Sequence, residues 1–109
     1  FVRAAFFVAT APQRSTAFDT VLQCFHILNN FDVPIGAEHN PGETVQGMPS
    51  ATQWTVVSDL TNRRIYYRTA YNCNIRCIDL NSIDFGRVKS GSYPLDKEKI
   101  QPIEMIEIK

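Results

Sequence analysis

The stretch from Gln53 to Leu80, QWTVVSDLTNRRIYYRTAYNCNIRCIDL, constrains the fold of this 109-residue chain more than any other. It holds three short runs rich in β-branched and aromatic residues, separated by polar turn residues. In the first run Trp54 and Val56 fall on one side, and Thr55, Val57 and Asp59 on the other, by the two-residue period of a strand. Thr61, Asn62 and Arg63 read as a turn, with Asn62 suited to a positive φ. Residues 65–69 return as the second strand. Residues 71–74 turn again, and residues 75–80 form the third. There Ile75, Cys77 and Asp79 share one face, and Arg76, Ile78 and Leu80 the other. Three strands joined this closely form an antiparallel meander at the edge of a larger sheet.

Two helical segments precede the strands. Phe1, Val2, Ala5, Phe6 and Ala9 recur as a helical stripe. A strand also suits Phe and Val, but the alanines and the spacing favour helix, ended by Pro12. In the second segment Thr16 is placed to cap, with Asp19 three residues on. Phe18, Val21, Leu22, Phe25 and Leu28 then form one wide apolar face, which predicts a helix lying on a sheet. Asn29 and Asn30 mark its end as residues tolerant of the left-handed conformation. The short connection predicts antiparallel helices.

Residues 31–52 form a long connection holding Pro34, Gly36, Pro41, Gly42, Gly47 and Pro49. Loops of this length are functional or flexible, and the sequence favours neither. Val33 and Pro34 are candidates to pack inward. Beyond residue 81 the pattern weakens. Residues 84–86 and 90–92 read as turns, and Ile103, Met105, Ile106 and Ile108 as an edge strand or a wrapping tail.

Composition narrows the function. Eleven basic residues balance eleven acidic ones, which argues against nucleic acid as a partner, because phosphate binding needs clustered positive charge. Arg63 and Arg64 read as a solvated hairpin tip. No apolar stretch approaches the roughly 20 residues that span a bilayer, so no membrane partner is expected. Three cysteines, Cys24, Cys73 and Cys77, are an odd count and poor material for a disulfide framework, and read as buried or half-buried thiols. His26 and His39 lie in different elements, so no metal site and no cofactor is expected.

No chemical constellation stands out either. There is no nucleophile elbow and no phosphate loop. Cys24 and His26, two apart on a helix, do not face each other. His39 sits in the Gly/Pro loop without an orienting third group. Trp54, alone on an apolar strand face, reads as core, and Tyr66 and Tyr67 as one core ring and one surface ring.

Several segments carry a family resemblance. They are the opening FVRAAF, FHILNN at residues 25–30, Val33-Pro34, WTVVSDLTNRRIYYRTAYN at residues 54–72 and NIRCIDL at residues 74–80. This ordered set, running in one register from Phe1 to about Phe85, resembles the choloylglycine hydrolases, the bile-salt hydrolases and penicillin V acylases. The resemblance implies an α/β segment of an αββα N-terminal-nucleophile hydrolase fold: a helical hairpin followed by antiparallel strands. It implies that residues 1–109 are the C-terminal segment of a single such domain.

The resemblance also implies a bacterial amidase that cleaves glycine- or taurine-conjugated bile salts, or penicillin V, through an N-terminal cysteine absent from this chain. The alternative class is a non-enzymatic β-rich interaction module. In the family FVRAAF follows a Ser-Arg pair, so one site arginine is expected immediately before Phe1. That boundary is also where a trypsin-like protease would cut. Arg3 matches the motif's second arginine, for which a structural role at the helix start is expected. No catalytic residue is therefore expected within the segment, which alone should be inactive. The implied partners are a small amide substrate, the remainder of the same polypeptide, and further copies in a tetramer. The implied compartment is the bacterial cytoplasm or periplasm.

Overall fold

The computed structural model describes residues 1–47 and 50–109. Pro49 of the long connection lies outside the described residues. Two α-helices, α1 (Val2–Thr10) and α2 (Ala17–Leu28), precede a sheet of β1 (Trp54–Asp59), β2 (Arg64–Thr69) and β3 (Arg76–Asp79). The sheet is antiparallel throughout, in the order β1-β2-β3.

The second helix starts where its sequence says it should. Thr16 Oγ1 accepts from the Asp19 amide at 3.0 Å, satisfying one of the free N–H groups of the first turn. Its end differs from expectation. Asn29 stays right-handed, at φ −55°. The chain tightens into a 3-10 turn over Asn29–Phe31, and Asn30 Nδ2 donates to the carbonyls of His26 and Ile27, both at 3.2 Å. A side-chain amide, not a left-handed residue, stops the helix.

Val21 and Phe25 of α2 meet Val57 of β1 and Tyr66 of β2, and these four form the core. Cys24, Leu28 and Ile75 pack around them. Val57 pairs with Tyr66, and Tyr66 with Cys77, so one sheet face carries Thr55, Val57, Tyr66 and Cys77 toward the helix. The alternation of the sequence is thus correct.

The other face carries Trp54, Val56, Ile65, Tyr67, Arg76 and Ile78. Trp54 is 59% exposed, Val56 43% and Ile78 38%. Trp54, expected in the core, therefore lies on the open side. The stripe of α1 is open too: Phe1, Val2, Ala5, Phe6 and Ala9 are all exposed. The helix meets the rest of the chain at Phe31, through Phe7, whose ring stands edge-on to it at 6.5 Å, and through Arg3. Because Phe31 follows the end of α2, this contact ties the two helices together.

The accessible surface is 9201 Å², where a folded monomer of this mass exposes about 6,100 Å². The radius of gyration is 17.4 Å, against about 13 Å for a compact domain of 100 residues. α2 covers one side of the sheet, and large apolar side chains such as Trp54, Leu60, Phe85 and Ile108 stand exposed.

Three further expectations are corrected. In the β1–β2 turn it is Arg63, not Asn62, that takes the positive φ, at 54°. Asn62 instead donates its backbone and side-chain N–H groups to the Asp59 carboxylate at 3.0 and 2.7 Å. Residues 103–108 form no edge strand, and their apolar side chains are exposed. Val33 and Pro34 do not pack inward. Val33 is 38% exposed, and its backbone instead closes the loop.

Candidate functional site

Three places bring polar side chains together. The first is the head of α1. Phe1 projects fully into solvent, and its side chain gives the helix no cap. Arg3 lies with its guanidinium carbon 5.3 Å from the Phe31 ring centroid. This cation–π contact fixes the helix start against the 3-10 turn, in place of an ion pair.

The second is a cleft of ≈ 220 Å³ between residues 32–35 and the ends of β1 and β2. Two hydrogen bonds join Val33 and Thr52 in its wall. The Val33 amide donates to Thr52 Oγ1 at 2.9 Å, and the Thr52 amide to the Val33 carbonyl at 3.0 Å. Thr55, Arg68 and Cys73 face into it with Asp32. Arg68 is held over the Phe25 ring at 5.6 Å.

The cleft thus has a cation, hydroxyls and a thiol, but neither histidine reaches it. His26 is exposed on α2, and His39 meets Glu43 at 3.3 Å within the long loop. The thiols are free. Cys24 is half-buried, within expectation, while Cys73 and Cys77 are exposed rather than buried or half-buried. Among the described residues no group of three His, Cys, Asp or Glu converges as metal ligands would.

The third place is centred on Arg76, on the open sheet face. Its Nη2 donates to Thr69 Oγ1 at 3.3 Å and to the Asn72 carbonyl at 3.2 Å. Its Nη1 donates to the Leu95 carbonyl at 3.3 Å and to the Asp96 carboxylate. The guanidinium stacks on Tyr67 at 4.7 Å. The bond from Arg76 holds the Asp96 carboxyl below its usual range, with a further bond from Thr69. Nothing local in the sequence pointed to this pair. The partners are 20 residues apart, and Asp96 sits among Lys97, Glu98 and Lys99 like a solvated charge.

The family model of the choloylglycine hydrolases, linear amide C–N hydrolases, matches residues 1–98. The chain belongs to the choloylglycine hydrolase family. No curated protein matches it.

The match to the choloylglycine hydrolases runs from the head of α1 through both helices, all three strands and the Asp96 clasp. It makes this a chain of a hydrolase family acting on linear amides. Two helices followed by an antiparallel sheet fit an α/β segment of that fold. The sheet has a helix on one side only, so the observed order is one helical layer and one sheet.

Proposed function

We propose that this chain is the C-terminal, sheet-covering part of an amidase that works through an N-terminal cysteine outside the 109 residues. The observation that carries the reading is the uncovered face of Trp54, Val56 and Ile78. A second sheet packed there would complete the four-layer arrangement, with α2 as one outer layer. A self-contained interaction module of this length would shelter far more of its apolar surface.

In this reading α1 presents the residue preceding Phe1 to the catalytic centre. Arg3 on Phe31 anchors that helix. The segment contributes position, and the thiol, its base and the oxyanion donors come from elsewhere in the polypeptide. The substrate class is the amide of a glycine- or taurine-conjugated bile salt, with penicillin V as the alternative acyl donor.

The test is a paired assay. The 109-residue chain alone should release no glycine or taurine from a conjugated bile salt, while the full-length protein should. Turnover by the isolated chain above buffer background, or hydrolysis of neither a conjugated bile salt nor penicillin V by the full-length protein, overturns the reading. The same assay with penicillin V assigns the acyl group.

A further inference from the structure

Residues 94–101 cross the open face of β2 and β3 without forming secondary structure of their own. Their attachments are few and polar. Tyr67 Oη donates to the Leu95 carbonyl at 3.0 Å. Arg76 donates to Leu95 and Asp96. The Cys73 amide donates to Gln101 Oε1, and Gln101 Nε2 to Asn74 Oδ1 at 3.4 Å. Lys99 lies over the Tyr71 ring at 5.0 Å. On either side, residues 87–93 and 102–109 are exposed.

We infer that residues 94–101 are a charge-latched strap that opens as a unit, independently of the sheet. The latch is the Arg76–Asp96 pair. The Asp96 side chain is 8% exposed and that of Arg76 25%, so the pair is shielded from bulk screening in a way that the exposed Arg87–Asp84 pair is not. Arg76 Nε is buried and has no hydrogen-bond partner, so the guanidinium is held on its Nη side alone.

The strap contributes no side chain to the four-residue core. Detaching it breaks a handful of hydrogen bonds and leaves Val21, Phe25, Val57 and Tyr66 in place. Segments held this way open at lower free energy than the core they lie on.

The strap divides the sheet face. Closed, it covers Thr69, the one buried polar residue among those described, and leaves Trp54, Val56 and Ile78 open. Released, it uncovers Tyr67, Thr69 and Arg76. It therefore sets how much of the sheet another layer can reach.

The groups facing Asp96 are Arg76 and Thr69 of the sheet and Lys99 of the strap itself. Neutralising Asp96 removes the attraction without altering the side chain's size. The experiment is trypsin cleavage of the full-length protein, comparing wild type, Asp96→Asn and Gln101→Ala, with sites mapped by mass spectrometry.

Cleavage after Lys97 and Lys99 should accelerate roughly tenfold in Asp96→Asn, the change expected on losing a charge-assisted hydrogen bond that gates opening. Cleavage after Arg68, within β2, should not change. Gln101→Ala should accelerate the same two sites by less. Equal rates at Lys97 in all three proteins would overturn the inference. So would a parallel rise at Arg68, because strap and sheet would then open together.

Discussion

Val57 and Tyr66 stand opposite one another across β1 and β2, and both are 8% exposed beneath α2. Phe25 and Val21 of that helix, each 4% exposed, complete the contact. These four side chains are the centre of the helix-to-sheet attachment, with Cys24, Leu28 and Ile75 packed around them. No residue among those described is fully buried, so the attachment has little reserve.

Phe25→Ala should therefore be severe. Removing a buried phenylalanine costs about 3–5 kcal/mol, and here Arg68 also loses the ring beneath it. Urea denaturation of the full-length protein should show the midpoint falling with little change in slope.

The cap gives a milder result. Thr16→Ala removes the acceptor for the Asp19 amide and should cost about 1 kcal/mol. Thr16→Ser keeps the oxygen and should stay within a few tenths of wild type. The same denaturation curves compare the two.

Arg63 offers a test of sign. At φ 54° an L-residue carries about 1–2 kcal/mol of strain, of which the greater freedom of unfolded glycine returns roughly half. Arg63→Gly should thus stabilise slightly, by about 0.5 kcal/mol. Arg63→Val, branched at Cβ, should destabilise. A lower melting temperature for the glycine variant would contradict the turn geometry.

The hairpin tip predicts a pH dependence. Bonds from the Asn81 backbone and side chain, with Arg64 behind them, hold the Asp79 carboxyl below its usual range. The Asn62 side chain and backbone do the same for Asp59. A depressed folded-state value means that these groups stabilise the fold fully above the unfolded value, near 3.9. That contribution is lost as pH falls through the folded values. Asn81→Ala should raise the Asp79 titration toward its ordinary range and leave Asp59 nearly unmoved. Carboxyl NMR titration reads both.

Much of this was legible locally. Thr16 and the Phe18 to Leu28 spacing specify α2, and alternation specifies which residues share each sheet face. What alternation cannot specify is which face is covered. Trp54 and Val57 look equally apolar, yet only Val57 has a helix above it. Asn62 was the natural candidate for the left-handed position, but Asp59 captured its side chain and passed the strain to Arg63. The clasp at Arg76 was invisible for a different reason. Ion pairs between segments 20 residues apart leave no period, and the surrounding lysines and glutamates mask Asp96.

The central claim is that the face bearing Trp54, Val56 and Ile78 is finished by another layer of the same protein. Trp54, the single tryptophan of the chain, reports on it directly. Hydroxyl-radical footprinting should oxidise Trp54 readily in the 109-residue chain and leave it protected in the full-length protein. Equal labelling in both would contradict the account.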